Sequence, residues 1–164
     1  MGQVVMTIGC PRAGKTTYAE QQIAQSHQPW QKLSLDDLRV AIWGSKSNFW
    51  RIQDRRDDAA KDARDALDEI YNHALDRITT LGCNVILANT HLRHGEREFN
   101  KLMGRGHTVH LVVFKVPMGE LARRNVTCAP DDRVPMEYLI QAYNDFNDPN
   151  AWWRKYPGQT EWRH

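Results

Sequence analysis

Short apolar runs and longer amphipathic stretches alternate along the chain, and this alternation predicts its secondary structure. Runs rich in β-branched and other apolar residues predict strands at residues 4–8, 32–35, 83–88 and 109–116. The spacing of apolar positions predicts helices at residues 16–24, 36–43, 57–81, 95–103, 117–125 and 135–146, with a polar loop at residues 44–50. Strands and helices therefore follow one another in a repeated βα order.

The clearest of these elements is the long helix at residues 57–81. Its predicted apolar stripe, at steps of three and four residues, comprises Ala59, Ala63, Ala66, Leu67, Ile70, Ala74, Ile78 and Leu81. Asp57 and Asp58 stand at its start, where the helix dipole favours anions, and Gly82 follows its end. We expect this stripe to face the core.

The repeated βα order indicates an α/β fold. It predicts a three-layer α/β/α sandwich with a mostly parallel sheet of four or five strands and right-handed crossovers. In such a sheet ligands bind beyond the carboxyl ends of the strands. We expect one domain at residues 1–146, with a lid at about residues 126–134. A tryptophan-rich tail at residues 147–164 is expected to pack on the same domain, or alternatively to offer its rings for base stacking.

Composition narrows the class of protein. The 164 residues suit one domain, and no apolar run approaches the length that spans a bilayer. The amino terminus lacks the features of a signal peptide. The three cysteines, Cys10, Cys83 and Cys128, are far apart and odd in number, which argues against a disulfide framework or a cysteine zinc site and favours a cytoplasmic protein. The net charge of +2 does not by itself indicate a nucleic-acid binder.

Residues 9–16, GCPRAGKT, match the phosphate-loop pattern GxxxxGK[ST] between a predicted strand and a predicted helix. In this pattern backbone N–H groups and the helix N-terminus surround phosphate oxygens. Lys15 would reach the β- and γ-phosphates of ATP, and the Thr16 hydroxyl would ligate Mg²⁺. The predicted ATP-binding residues are Gly9, Cys10, Pro11, Arg12, Ala13, Gly14, Lys15, Thr16 and Thr17. We therefore expect a P-loop NTPase fold with ATP and Mg²⁺ as cofactors.

A second informative stretch, Ser34 to Arg39, lies where the second strand meets its helix. A carboxylate at Asp36 would face the phosphate loop and accept the proton of an attacking hydroxyl. Arg39 lies one turn further along the same helical face and would hold a phosphate-bearing substrate. The alternative is an ordinary helix start, with Asp36 as the cap and Arg39 as its surface partner.

These stretches together resemble a known family. The run Gly9-Cys10-Pro11 with Gly14 to Thr17, the Asp36-Asp37-x-Arg39 group and Asn89 to Leu92 are similar to the kinase domain of phage polynucleotide 5′-hydroxyl kinase. The similarity continues through residues 113–117, Glu120-Leu121, Arg124-Asn125 and Val134-Pro135. It spans about residues 3–146, and the chain has no counterpart of the phage enzyme's phosphatase domain.

The resemblance implies transfer of the ATP γ-phosphate to 5′-hydroxyl ends of DNA or RNA. It assigns the general base to Asp36 and a substrate contact to Arg39. We also expect Lys15 to take part in catalysis and Asn89 and Thr90 to contact the substrate. The family usually has an acidic residue in the segment that corresponds to Ala88-Asn89-Thr90, and here the third strand ends in Asn89, so Mg²⁺ would depend on Thr16, phosphates and water, with Asp36 nearby. The family's lid arginine falls on Cys128 here. Arg133 is the nearest replacement.

Alternatives remain open at this stage. Arg123, Arg124 and Arg133 are all candidates for clamps over ATP, and we expect Arg124 to bind ATP and Arg133 to complete the lid. The acceptor could instead be a nucleoside, a nucleotide or a sugar. The chain could also be an ATP-binding module without phosphotransfer.

Overall fold

Five parallel strands form the centre of the computed structural model, which describes residues 2–164. They are β1 (Gln3–Ile8), β2 (Trp30–Leu33), β3 (Asn84–Leu87), β4 (Thr108–Phe114) and β5 (Thr160–Arg163). Their order across the sheet is β2-β3-β1-β4-β5, and every neighbouring pair is parallel. The predicted α/β sheet is confirmed.

Within residues 2–164, seven α-helices connect and cover the strands. They are α1 (Lys15–Gln25), α2 (Leu35–Trp43), α3 (Lys46–Asp54), α4 (Asp58–Thr80), α5 (Gly95–Gly104), α6 (Met118–Thr127) and α7 (Met136–Asn147). Three 3₁₀ turns lie at Pro130–Asp132, Trp152–Lys155 and Pro157–Gln159. Within residues 2–164, no helix is both long and apolar enough to cross a membrane.

The direction of each crossover decides on which face its helix lies. The chain moves from β1 to β2 in one direction across the sheet, and it returns through β3, β4 and β5 in the other. Right-handed connections therefore place α1 on one face and the helices of the return path on the opposite face. Contacts agree, because Tyr71 of α4 donates a hydrogen bond to Glu98 of α5, and Phe99 of α5 packs against Trp152 near α7.

Strand β1 is central and five of its six residues are buried. Val4, Met6 and Ile8 are fully buried between the two helical layers. A strand covered on both faces needs apolar residues on both sides, which explains why this stretch shows a nearly continuous apolar run instead of an alternating one. The core therefore forms around the strand that ends in the phosphate loop.

The buried face of α4 differs from the predicted stripe. Its buried residues are Ala60, Leu67, Tyr71, Leu75 and Thr79. Ile70 and Leu81 of the predicted stripe are 41% and 66% exposed. Tyr71 and Thr79 carry hydroxyl groups that bond to Glu98 and to the backbone carbonyl of Leu75, so they are satisfied in the core. The predicted stripe included only residues with hydrocarbon side chains, so it omitted Tyr71 and Thr79, which belong to the buried face.

The predicted loop at residues 44–50 is also wrong, because α3 begins there. Gly44 ends α2 with φ 78°, and Ser45 caps α3 by accepting a hydrogen bond from the N–H of Asn48. Phe49 is the buried anchor of α3 and is 2% exposed. The polar residues Ser45 to Asn48 form the capped first turn of α3. Because Phe49 is the one buried residue of this helix, the sequence shows no apolar stripe that would predict it.

The tail at residues 147–164 packs two tryptophans against the helices and adds the edge strand β5 to the sheet. Trp152 and Trp153 are buried beside α5 and α7, while Trp162 stays 41% exposed on the edge strand β5. Gly95 permits this packing, since a Cβ there would lie 2.6 Å from the Trp152 ring. The strand β5 itself is absent from the sequence-based prediction, because residues 160–163, TEWR, are too few and too polar to identify a strand.

We predict that Trp153→Ala lowers the free energy of unfolding by about 3–5 kcal/mol, because it empties a fully enclosed site. The matched variant Trp162→Ala should cost at most about 1 kcal/mol, since that ring is partly in solvent. Urea unfolding followed by far-ultraviolet circular dichroism measures both without using tryptophan fluorescence. Equal losses would mean that Trp153 is not a core anchor.

Candidate active site

The carboxyl ends of the strands open onto a cavity of about 980 Å³. The phosphate loop forms its floor, α2 and α3 one wall, the lid its roof, and the end of β5 the opposite wall. The predicted site residues that line it are Pro11, Arg12, Ala13, Gly14, Lys15, Thr16, Thr17, Asp36, Arg39, Asn89, Thr90, Arg124 and Arg133. Gly9 and Cys10, the first two residues of the loop, do not line the cavity. The fold therefore brings nearly all predicted site residues to one place.

The phosphate loop has the backbone of an anion cradle. Gly9 must be glycine, because a Cβ there would lie 3.0 Å from the Cβ of Phe114 and 3.1 Å from its carbonyl oxygen. Arg12 and Gly14 have φ values of 68° and 99°, so the chain reverses direction just before α1. Among the described residues no side chain caps α1, and its first turn carries no acidic residue. The free N–H groups of this helix start thus face the cavity.

Lys15 is held inside the loop by its own backbone. Its Nζ donates hydrogen bonds to the carbonyl oxygens of Gly9 at 3.0 Å and Cys10 at 2.6 Å. Burial lowers the pKa of Lys15 to about 8, because a charged ammonium loses its hydration there. Burial also raises the pKa of the Cys10 thiol to about 11, so Cys10 is a neutral filler within the loop.

Two arginines carry buried nitrogens that lack a partner in the described chain. The Nε atoms of Arg12 and Arg39 are shielded from solvent and make no hydrogen bond within residues 2–164. Both side chains line the cavity. The guanidinium groups of both residues add positive charge to the lining of the cavity.

Asp36 lies on the wall formed by α2 and α3 and is held by two cations. Its Oδ1 accepts a hydrogen bond from Arg39 Nη1 at 2.6 Å, and its Oδ2 lies 3.8 Å from Lys46 Nζ. The helix cap is Ser34, which accepts a hydrogen bond from the N–H of Asp37, and not Asp36. The carboxylate of Asp37 turns away to Lys32 at 3.0 Å. Of the two neighbouring aspartates, only Asp36 lines the cavity.

Arg39 is also packed between aromatic rings. Its guanidinium carbon lies 5.0 Å from the ring centre of Phe49 and 4.9 Å from that of Trp50. These contacts come from α3, the helix missing from the prediction. They immobilise the arginine beside Asp36.

Asn89 lines the cavity, and its side-chain amide also forms two hydrogen bonds that stabilise the fold. Its Oδ1 accepts a hydrogen bond from the N–H of Leu35 at 2.8 Å, and its Nδ2 donates to the Tyr71 hydroxyl at 3.0 Å. Burial and the neighbouring Glu98 carboxylate raise the pKa of Tyr71 well above its ordinary value, so the phenol stays protonated. Asn89 thereby fixes the first turn of α2, which carries Asp36. Its predicted contact with substrate stays a prediction.

The lid is tied down at both ends. The Asn125 side chain donates to the carbonyl of Val134 at 2.9 Å and accepts from its N–H at 3.0 Å. Asp132 pairs with Lys46 at 2.6 Å, which joins the lid to the start of α3. The hydrogen bond from Lys46 lowers the pKa of Asp132. Lys46 thus contacts both the lid and the wall formed by α2 and α3, and it was missed because its helix was predicted as a loop.

The three arginines that were candidates for clamps over ATP have distinct positions. Arg124 donates from Nη1 to the carbonyl of Arg12 at 3.1 Å, so it lies directly against the phosphate loop. Arg133 donates from Nε to the carbonyl of Cys128 at 3.2 Å and also lines the cavity. Arg123 pairs with Glu120 on the solvent side, and its side chain is 65% exposed. Cys128, where the resemblance placed the lid arginine, donates a hydrogen bond from Sγ to the Asn125 carbonyl.

Within residues 2–164 there is no cluster of three or more histidine, cysteine or acidic side chains that would hold a metal ion. Mg²⁺ prefers few protein oxygens together with phosphate and water. The Thr16 hydroxyl at the start of α1 and the Asp36 carboxylate, both lining the cavity, fit that requirement.

A family model described as AAA domain (AAA_33) matches residues 4–148. The fold is similar to a chain in the structure of the Pnkp1/Rnl/Hen1 RNA repair complex, with a TM-score of 0.68, 16% identity, and coverage of 88% of this chain and 44% of that chain. It is also similar to a gluconokinase from Sinorhizobium meliloti 1021, with a TM-score of 0.54, 16% identity, and coverage of 98% and 81%. The fold is that of a P-loop kinase-like domain.

Among curated proteins, the transcription factor bHLH140 of Arabidopsis thaliana is 30% identical over 123 residues, which are 75% of this chain. The chain spans only 11% of the length of that relative. The P-loop kinase part of the predicted resemblance is confirmed, and its assignment to the phage family stays a prediction.

We predict that ATP binding takes up a proton when the pH is above 8. The pKa of free Lys15 is about 8, so at pH 9 the free amine is mostly neutral. The phosphates favour the charged form and raise this pKa, so binding at pH 9 should take up most of a proton, and binding at pH 7 much less. Calorimetric titration in buffers of different ionisation enthalpy measures the uptake.

The matched control is Lys15→Arg, because a guanidinium stays charged at both pH values. Its proton uptake should not change between pH 7 and pH 9 beyond the contribution of ATP itself. The same pH dependence in Lys15→Arg as in the natural chain would exclude Lys15 as the source.

Proposed function

This chain belongs to the AAA domain family, and from that premise we propose that it transfers the γ-phosphate of ATP to the 5′-hydroxyl end of a nucleic acid. One observation carries the proposal. The Asp36 carboxylate, held by Arg39, lies across one cavity from the phosphate loop, on the wall formed by α2 and α3, which we take as the acceptor wall. A module that only binds ATP has no need of an oriented carboxylate on the acceptor wall.

Asp36 has the geometry of a general base. Its Oδ1 is occupied by Arg39, and the more distant approach of Lys46 to Oδ2 leaves that oxygen open to the cavity. A hydroxyl bonded to Oδ2 would be oriented toward the phosphate loop and would pass its proton to the carboxylate as the new P–O bond forms. The bond between the γ-phosphorus and the bridging oxygen breaks, and ADP leaves with that electron pair.

The cations on the other sides of the cavity would balance the charge of the transferred phosphoryl group. Lys15 would leave its two backbone carbonyls for the β- and γ-phosphate oxygens. Arg124 is already against the loop, and Arg133 lies further along the lid. We assign ATP binding to Arg124 and transition-state stabilisation to Arg133. Thr16 would hold Mg²⁺, which neutralises charge between the phosphates.

The nature of the acceptor wall supports a nucleic-acid end. Trp50 is 47% exposed and presents a flat ring beside Arg39 and Asp36. Such a surface suits a nucleobase adjacent to the reacting hydroxyl. The fold neighbour from an RNA repair complex is in keeping with this choice. We propose that residues 1–146 with the lid at 126–134 form the kinase unit, and that residues 147–164 complete it.

A second candidate is a kinase for a small hydroxyl compound. The gluconokinase neighbour is matched over nearly the whole length of this chain, and the net charge of the chain is only +2. Arg39 and Lys46, the cations nearest the acceptor wall, are also already paired with Asp36 and Asp132. These features would suit a small acceptor with little charge.

The decisive measurement is transfer of γ-labelled phosphate to a panel of hydroxyl-ended DNA and RNA oligonucleotides, nucleosides and gluconate. We expect label on oligonucleotide 5′ ends. Asp36→Asn should lower this transfer about a hundredfold or more, the usual range for loss of a general base, while ATP affinity changes only a few-fold. Asp37→Asn is the matched control, because its carboxylate pairs with Lys32 outside the cavity.

Label on nucleosides or gluconate alone would support the small-molecule candidate. Transfer that does not depend on any acceptor, or equal losses in Asp36→Asn and Asp37→Asn, would contradict the proposed base.

The lid assignment gives a separate prediction. Arg133→Ala should lower kcat about a hundredfold, the scale of one lost transition-state contact, with little change in ATP affinity. Arg124→Ala should instead weaken ATP binding, because Arg124 contacts the loop. Arg123→Ala, which removes a solvent-side pair, is the control and should be nearly silent. Steady-state kinetics together with ATP titrations distinguish the three, and a silent Arg133→Ala would remove it from the mechanism.

A further inference from the structure

The order of the strands sets the direction in which ATP must lie. The phosphate loop follows the central strand β1, and the acceptor residues Asp36 and Arg39 follow the edge strand β2. For γ-phosphate transfer, the γ end must face that side of the sheet. The nucleoside end of ATP must then extend toward β4 and β5. This step rests on the proposed function, because it uses Asp36 as the acceptor side.

The wall on the β4–β5 side contains residues that no sequence motif identified. Arg163 and His164 line the cavity there, together with Tyr18 and Gln21 of α1. Because β5 is parallel to β4, its carboxyl end reaches the same edge of the sheet as the phosphate loop. The carbonyl of Arg163 accepts a hydrogen bond from the N–H of Lys115 at 2.7 Å, which fixes the backbone at this point.

The Arg163 side chain forms a layer over an aromatic ring. Its guanidinium carbon lies 4.6 Å from the centre of the Tyr18 ring, and its Nη2 pairs with Glu161 at 2.9 Å. Tyr18 in turn packs edge-on against Phe114 at the end of β4. The side chain of Arg163 is 43% exposed, so Tyr18 covers only part of it. A planar cation with one face on an aromatic ring and an exposed remainder beside a cavity is a stacking platform for another flat group.

The opposite face of β5 provides an internal comparison. Residues alternate along a strand, so Trp162 points away from Tyr18. There it meets Arg154, whose guanidinium carbon lies 5.7 Å from the Trp162 ring centre. Arg154 does not line the cavity. The same strand thus carries one arginine–aromatic pair at the cavity and one outside it.

We propose that Arg163 is the platform on which the purine base of ATP stacks, so that the carboxyl end of β5 completes the nucleotide site. The phosphate loop alone binds the triphosphate. The contact with Arg163 adds affinity for the base and aligns the γ end toward Asp36. The strand at the sheet edge is therefore part of ATP recognition, in addition to covering β4.

The test compares ATP with inorganic tripolyphosphate, which has the same phosphate chain and no base. Both are titrated calorimetrically, in the presence of Mg²⁺ and without an acceptor, into the natural chain, Arg163→Ala, Arg163→Lys and Arg154→Ala. Arg163→Ala should weaken ATP about three- to thirtyfold, the range of a cation–π contact. Tripolyphosphate affinity should stay within about twofold. Arg163→Lys should lose most of the same ATP affinity, because it keeps the charge and loses the plane. Arg154→Ala should change neither.

Unchanged ATP affinity in Arg163→Ala would overturn the platform, and so would equal weakening of ATP and tripolyphosphate. If Arg163→Ala does not fold, Arg163→Lys is the deciding variant, because a lysine can still pair with Glu161. An ATP affinity of Arg163→Lys equal to that of the natural chain would overturn the stacking proposal. Failure of the natural chain to bind either ligand would contradict the proposed function itself. The two failures are therefore distinguishable.

Discussion

The parallel hydrogen bonding of β1 to β3 on one side and β4 on the other is the constraint on which the site depends. It fixes the register of Val4 to Met6 against β3 and of all six β1 residues against β4. The carboxyl ends of these strands therefore meet at one edge, where the phosphate loop begins. Gly9 then passes close to Phe114, where a Cβ would lie 3.0 Å from the Phe114 Cβ, so a larger residue would push the two segments apart. The anion cradle is thus a consequence of how tightly the central strands pair.

A series of polar contacts connects β1 to the first turn of α2, which carries Asp36. Thr7 of β1 accepts a hydrogen bond at its carbonyl from His91 Nδ1 at 2.7 Å, and the other ring nitrogen lies 3.2 Å from Glu98. Glu98 accepts from Tyr71, Tyr71 accepts from Asn89, and Asn89 accepts from the N–H that starts α2. The Tyr71 hydroxyl and the Asn89 amide both have hydrogen-bond partners, so this part of the network is rigid where a partly satisfied one would be costly. Asp36 is in this way positioned relative to the phosphate loop by contacts that lie beneath the cavity.

The charged side chains around the cavity form two groups. Lys15 and Arg124 lie next to the phosphate loop, where the triphosphate of ATP would bind. Arg39 and Lys46 surround Asp36 on the acceptor wall, and Lys46 continues to Asp132 in the lid. Lys46 therefore lies between the lid and the wall that carries Asp36. Net charge conceals this arrangement, because these cations and anions cancel in the total.

The sequence by itself determined the features whose causes are local. The phosphate loop, its flanking strand and helix, and the Asp36–Arg39 spacing depend on neighbours within a few positions, so residue type and order were sufficient to predict them. The buried face of α4 was decided elsewhere, since Tyr71 and Thr79 enter the core only because Glu98 and a backbone carbonyl satisfy their hydroxyls. Asn89 acquired its partners, Leu35 and Tyr71, only when β3 took its place beside β2. The strand β5, four polar-rich residues at a sheet edge, exists because β4 offers it hydrogen bonds, and its arginine reaches the cavity only through that pairing. Contacts between residues far apart in the chain leave no periodic signal in either partner, and for that reason they were visible only in the tertiary structure.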